Sequence, residues 1–150
     1  MGPAIVQGDR HEIVPWEKPE LFDVVAFSIP GRSLPLIKRV VGLPGQSLSF
    51  SFGELFIDGE FKEQRFTRTD FRVDIPEIDI PQDSFYVLGD NRGYSIGSQE
   101  LGFIPRSSII GKIELPKNDT PRVVRYDPLN NTFIDLLRDE TYEEKLHFSR

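Results

Sequence analysis

Short segments with a strand-like hydrophobic pattern recur along the chain, separated by glycine and proline. β-Branched and aromatic residues dominate these segments, and several alternate polar and apolar positions, as strands with one face on a core do. The predicted strands are 23–29, 36–41, 47–52, 54–57, 85–88 and 108–114. Residues 11–21 and 62–83 carry prolines and charges, so they are predicted to be irregular, the second with short strands. The pattern therefore predicts an all-β fold of antiparallel sheets.

Turn signals add detail to this prediction. Asp58-Gly59 is typical of a hairpin turn, and Gly111 indicates a bulge or a close approach inside its strand. Beyond Pro116, residues 122–126 and 132–137 are predicted to pair as a hairpin. Residues 138–150 are charged, and either a short helix or disorder is compatible with their pattern.

Composition narrows the function classes. The chain has 150 residues, enough for one domain with a core, and a net charge of −6, which would repel a nucleic-acid phosphate backbone. It has no cysteine, and His11 and His147 have no spacing partner, so neither a metal site nor another cofactor is predicted. No uncharged apolar run approaches the ~20 residues that cross a bilayer, so the chain as given is expected to be soluble.

The segment 36–45, LIKRVVGLPG, places two basic side chains inside a predicted strand. Successive side chains of a strand point to opposite faces, so Lys38 and Arg39 cannot both face solvent in the same way. One of the two is therefore predicted to lie on a covered face. Burial lowers the pKa of an ammonium group unless an anion holds it, which makes such a lysine a candidate general base. The competing interpretation is that both side chains reach water from an edge strand.

A second segment with chemical character, GDNRGYS at 89–95, follows the apolar run 85–88. Asp and Asn side chains can bond the local backbone and fix a sharp bend after a strand. Taken alone, this pattern indicates such a turn and nothing more.

The order of several motifs is more specific than any one of them: IKRVVGLPG at 37–45, GDNRGYS at 89–95, GFIP at 102–105 and IIGK at 109–112. This order resembles that of the bacterial type I signal peptidases and their mitochondrial inner-membrane relatives. The region between the hairpin and GDNR has no room for the extra domain of larger members, so the resemblance is to the compact type. It implies a signal-peptidase-like β domain over 1–116, with 117–150 as an extension of unknown role.

By resemblance, Lys38 is the general base of a serine/lysine dyad, and Ser95 is the hydroxyl that orients its amine. The residues expected to support the site are Gly89, Asp90, Asn91, Arg92 and Ser98. The residues expected to contact substrate are Ile37, Met1 and Pro3.

The first ten residues resemble the segment that directly follows the nucleophile, with Met1, Pro3, Gly8 and Asp9 on the family's pattern. The nucleophilic serine would be the residue before Met1, which the sequence does not contain. The resemblance would also place an N-terminal membrane anchor upstream. Two explanations remain open: the chain was cut just after the serine, which we favour, or the natural chain lacks it.

Four positions depart from the family's pattern. Phe22 stands where glycine is usual, which predicts a different start to the following strand. Gln46 replaces an aspartate after LPG, which loses a charge but is expected to keep the turn. Gly97 and Gln99 replace an acidic and a basic residue that normally pair around Ser98. Because both partners are lost, no charge is left unpaired. Whether full activity is kept stays an open question at this point.

Two functions follow from these expectations. The first is a membrane-associated endopeptidase that removes signal peptides from exported preproteins, with its catalytic domain on the extracytoplasmic side of the plasma membrane. The second is a catalytically inactive relative that binds peptides or assists assembly of a surface structure. The missing serine, Gly97 and Gln99 favour the second, and the intact Lys38 and Ser95 favour the first.

Overall fold

The computed structural model describes residues 12–64, 73–92 and 95–114, together with the backbone of 124–127 and 132–135. Most elements in these ranges are antiparallel strands, as predicted. The strands are β1 (Ile13–Val14), β2 (Val24–Phe27), β3 (Leu36–Gly42), β4 (Ser47–Ser51), β5 (Glu54–Ile57), β6 (Glu60–Lys62), β7 (Ile75–Asp79), β8 (Ser84–Leu88), β9 (Ile104–Pro105), β10 (Ile109–Ile113), β11 (Val124–Asp127) and β12 (Thr132–Asp135). The helical elements are α1 (Ser98–Leu101) and a 3-10 turn (Arg106–Ser108).

The strands form two main sheets. The larger sheet has six strands in the order β1-β10-β2-β3-β8-β9, and the smaller has four in the order β6-β5-β4-β7. β11 pairs with β12, which confirms the hairpin predicted beyond Pro116. The short helix considered for residues 138–150 lies outside the described residues.

The larger sheet is covered on both faces around β3. One buried cluster contains Val25, Val40 and Val87, and another contains Val41 and Leu88. Members of the two clusters alternate along β3 and β8, as a period of two requires when both faces are buried. β3 lies between β2 and β8, and Lys38 and Arg39 are both buried, which excludes the interpretation in which these side chains reach water from an edge.

Several local predictions are confirmed. Asp58 and Gly59 both have positive φ, 52° and 80°, in the turn between β5 and β6. The pairing of β10 with β2 shifts register between Ile109 and Gly111, where a Cβ would press on the Val14 carbonyl. The Gln46 side chain accepts the Leu43 N–H at 2.8 Å, so the turn survives the loss of the aspartate.

Other details differ from the prediction. The segment 11–21 contains the two-residue strand β1, and 62–83 contains β7, where Pro76 is tolerated because β7 is an edge strand. Phe22, directly before Asp23 and β2, has the left-handed backbone that favours glycine, with φ of 73°. A different start to β2 than in members with glycine there stays a prediction. Within the described ranges, no helix is long and apolar enough to cross a bilayer.

The fold predicts a contrast between a core and a surface phenylalanine. Phe27 is fully buried, whereas Phe61 on β6 is 56% exposed. Phe27→Ala should lower the free energy of unfolding by about 3–5 kcal/mol, because it leaves a cavity. Phe61→Ala loses only an edge contact with Phe56 and should cost about 1 kcal/mol or less. Urea denaturation measures both, and equal losses would contradict this assignment of the core.

Candidate active site

Lys38 and Arg39 occupy adjacent positions of β3 and point to opposite faces of the larger sheet. Both are buried, with 7% and 4% of their surface exposed. The prediction that one of the two lies on a covered face was incomplete, because both faces of the sheet are covered here. Each basic group therefore needs its own polar partner.

The Lys38 amine meets the Ser95 hydroxyl. Lys38 Nζ donates a hydrogen bond to Ser95 Oγ at 2.5 Å, which brings together residues from β3 and from the turn after β8. Burial lowers the pKa of Lys38, and Arg32 lowers it further. Asp90 and Glu100 oppose this shift through their negative charge. The balance favours the neutral amine more than in a solvated lysine.

Gly89 makes this contact sterically feasible. A Cβ at position 89 would overlap the Ser95 hydroxyl and would lie 3.5 Å from Lys38 Nζ. Only a residue without a side chain can therefore occupy this position while Ser95 stays in place. This gives a physical reason for the first residue of the GDNR motif.

Arg39 forms a two-pronged ion pair with Asp90 on the other face. Arg39 Nε donates to Asp90 Oδ1 at 2.9 Å, and its NH2 donates to Oδ2 at 2.8 Å. A third hydrogen bond from Arg39 reaches the Phe22 carbonyl at 2.9 Å. Burial raises the pKa of Asp90, and the hydrogen bonds from Arg39 oppose that shift. The pair ties β3 to the turn that follows β8.

Arg92 secures the same turn from the side of the smaller sheet. It donates to the Gly89 carbonyl at 2.9 Å and to Gln64 Oε1 at 2.7 Å, and its guanidinium lies over the Phe50 ring. Burial is the main reason that the pKa of Arg92 falls to about 10. The arginine stays charged at neutral pH and fixes the backbone beside Ser95.

Ser98 and Asn91 complete the predicted supporting set. Ser98 is buried, and its Oγ accepts the Val87 N–H at 2.8 Å, so it anchors the turn onto β8. Asn91 is half-buried in the bend between Asp90 and Arg92. All five predicted supporting residues thus lie in the turn next to Lys38 and Ser95, or at its end.

Among the described residues, one edge of β3 is left without a paired strand beside Lys38. β2 pairs with residues 36–39, whereas β8 pairs only with the part of β3 from Arg39 to Gly42. Among the described residues, no strand therefore pairs with 36–38 on the β8 side. The Ile37 side chain faces away from the Lys38 amine and packs against Val24, Ala26 and Ile113. Met1 and Pro3, the other two predicted substrate contacts, lie outside the described residues.

Sequence analysis named Asp90 as a supporting residue but not as the partner of Arg39, and it missed Gln64 and Glu100. An internal strand with adjacent basic residues implies a buried anion, so Asp90 could have been sought. Gln64 and Glu100 have no such signal, because their roles depend on which elements pack together.

The arrangement can perform proton transfer. A buried amine with a lowered pKa, held by a hydroxyl and lying beside an open strand edge, can accept a proton from a nucleophile brought next to it. The open edge can accept an extended peptide by main-chain hydrogen bonds.

Comparison with known proteins agrees with this geometry. Residues 1–117 match the family described as "Signal peptidase, peptidase S26". The chain is 36% identical over 101 residues to signal peptidase I of Leptolyngbya laminosa, covering 67% of this chain and 45% of that protein. It is 30% identical over 126 residues to a probable signal peptidase I-1 of Synechocystis, covering 74% and 63% of the two chains. The chain thus spans less than two thirds of either relative.

A solved structure shares the fold. The crystal structure of a signal peptidase I from Enterococcus faecalis is similar, with a TM-score of 0.59 and 26% sequence identity. The match covers 65% of this chain and 98% of that chain. Its sheets support the all-β interpretation of the described residues.

The buried ion pair predicts an unequal response to single and double substitution. Asp90→Ala should lower the free energy of unfolding by about 3–5 kcal/mol, because Arg39 stays buried without its counter-ion. Replacing both partners, Arg39→Met with Asp90→Leu, should cost less, because no charge is stranded. Urea denaturation measures both variants. A double variant less stable than Asp90→Ala would contradict this account.

Burial of Lys38 predicts a gain in stability when its amine is removed. Lys38→Met should be more stable at neutral pH, by on the order of 1 kcal/mol, because no ammonium group has to be desolvated. The pKa of Lys38 is lower in the folded chain than its ordinary value of 10.5, so the unfolded chain binds more protons between these values. Stability of the unsubstituted chain should therefore rise with pH through this window, and the advantage of Lys38→Met should shrink. A pH-independent difference would contradict the shift.

Proposed function

The chain belongs to the signal peptidase family, peptidase S26, and we propose that it is the catalytic domain of a serine endopeptidase that removes signal peptides from exported preproteins. The observation that carries the proposal is the hydrogen bond between the buried Lys38 amine and Ser95 at 2.5 Å. A solvated lysine is charged at neutral pH and cannot act as a base, whereas burial lowers the pKa of this amine toward the range in which it can.

The proposed nucleophile is a serine directly before Met1. The neutral Lys38 amine takes the proton of that hydroxyl while its oxygen attacks the scissile carbonyl. The ammonium group then returns a proton to the leaving amine, so the peptide bond breaks and an acyl-enzyme remains. Lys38 next deprotonates a water molecule, which hydrolyses the ester and restores the free serine. Ser95 holds the amine in place throughout.

The proposed substrate is an extended peptide. It would pair with residues 36–38 of β3 on the side that β8 leaves open, as an added strand. Main-chain hydrogen bonds would give affinity, while small side chains before the scissile bond would enter shallow apolar pockets. In this binding mode Ile37 contributes through its backbone, since its side chain packs on the opposite face.

The proposed location is the extracytoplasmic side of the plasma membrane, where exported preproteins emerge. In this proposal a membrane anchor precedes the serine and keeps the site close to the bilayer. The family membership supports this location.

A second candidate is a relative that binds peptides, or assists assembly of a surface structure, without cutting. Gly97 favours it, since no carboxylate can extend from this position to brace the site, and Gln99 carries no charge. The geometry of Lys38 and Ser95 favours the enzyme, because a peptide binder has no need for a buried amine held by a hydroxyl.

Cleavage of a signal-peptide substrate tests the proposal in a chain extended upstream by a serine before Met1. Lys38→Ala should lower kcat/KM by a factor of about 10² to 10⁴, the usual contribution of a general base. Lys62→Ala, which removes a half-buried lysine paired with Glu60, should have no effect. The acid limb of the pH profile should follow deprotonation of Lys38.

Retained cleavage in Lys38→Ala would reject the serine/lysine mechanism. Peptide binding without cleavage by the extended chain would instead support the second candidate.

A further inference from the structure

The turn that carries Ser95 has no side chain at position 97, and the packing leaves no room for one. A Cβ at Gly97 would lie 2.8 Å from the Val87 carbonyl oxygen and 3.0 Å from Leu88 Cδ2. The carbonyl belongs to β8, which is held in the sheet and cannot move aside cheaply. A carboxylate therefore cannot come from position 97 unless the turn shifts.

Glu100 brings a carboxylate to the same place from the next turn of chain. Its Oε2 accepts the Gly97 N–H at 2.9 Å, while the Gly97 carbonyl accepts the Glu100 N–H at 3.0 Å. Ser98, between them, is bonded to the Val87 N–H. Gly97 lies two residues from Ser95, so these bonds fix the backbone that presents the Ser95 hydroxyl to Lys38.

The negative charge of Glu100 is one of those that raise the pKa of Lys38. The charged groups that act on Lys38 are Asp90, Glu100 and Arg32. Asp90 is already engaged by two hydrogen bonds from Arg39 and is close to Arg92. Glu100 is exposed, and its carboxylate accepts the neutral Gly97 N–H. Of the two, Asp90 has the larger effect on the pKa of Lys38.

We infer that Glu100 is a positioning residue of this site: its carboxylate closes the turn that presents Ser95 to Lys38, and its negative charge acts on the Lys38 amine. The catalytic part of this inference rests on the proposed function. The effect on Lys38 does not, because it can be measured without turnover.

A simpler role has to be separated from this one. A glutamate three residues after the start of a helix often accepts a backbone N–H there, purely as a cap. Glutamine can make the same hydrogen bond but carries no charge. Glu100→Gln therefore keeps the cap and removes the charge, whereas Glu100→Ala removes both.

The first measurement is the NMR titration of the Lys38 side chain in the chain as it stands. Because Glu100 raises the pKa of Lys38, Glu100→Gln should shift the Lys38 titration to lower pH. Glu77→Gln is the matched control, since Glu77 is exposed on β7 of the smaller sheet, and it should leave the titration unchanged. Thermal unfolding verifies that each variant is folded. If Glu100→Ala fails to fold, Glu100→Gln still decides.

The second measurement is peptide cleavage by the serine-extended chain. Glu100→Gln should move the acid limb of the pH profile to lower pH. Glu100→Ala should in addition lower kcat by about five- to tenfold, the effect of one lost hydrogen bond to a charged group, with less change in KM. Glu77→Gln should match the unsubstituted enzyme.

The outcomes separate the two proposals. An unchanged Lys38 titration in Glu100→Gln overturns the inference, because Glu100 is then only a cap. If neither the serine-extended chain nor any of its variants cleaves the peptide, the proposed function is contradicted. If the Lys38 titration still shifts in Glu100→Gln, the role of Glu100 is supported all the same.

Discussion

Two adjacent basic side chains in a strand that is covered on both faces impose the main constraint on this structure. An unpaired buried charge costs much free energy, so each face must supply a polar partner for its basic side chain. On one face Arg39 is paired with Asp90, which joins β3 to the turn after β8. On the other face the Lys38 amine meets the Ser95 hydroxyl, and its pKa is lowered. The same strand thus carries one basic group held in an ion pair and one held by a hydroxyl.

The turn after β8 supplies polar partners on both faces of the larger sheet, which explains why it makes so many polar contacts. Asp90 binds Arg39 and Arg92 binds the Gly89 carbonyl, while Ser95 holds Lys38. Ser98 then fastens the end of the turn to β8. Because the ion pair on one face and the amine on the other share this short stretch of backbone, loss of the pair should also displace Ser95. The structural and chemical roles of the turn are therefore coupled.

Much of this arrangement could be predicted from sequence. Alternating patterns gave the strands, and the order of motifs gave Lys38 and Ser95 as a pair. A buried anion near Arg39 could have been expected, but its identity as Asp90 depends on which strands become neighbours. The left-handed backbone of Phe22 was not predicted, because the side chain disfavours this conformation and tertiary hydrogen bonds to the backbone hold it. The role of Glu100 depends on the position of one turn against β8. The nucleophile and the substrate contacts Met1 and Pro3 stay predictions.

The most direct test of the central claim is the pH titration of individual lysine side chains by NMR, with Lys112 as an internal reference. Lys112 is bonded to Asp23, which raises its pKa above the ordinary value of 10.5, whereas burial lowers that of Lys38. We expect Lys38 to lose its proton at lower pH than every solvated lysine and Lys112 to lose its proton last. Titration of Lys38 at or above 10.5 would contradict the account, because a lysine that keeps its proton there cannot serve as the base.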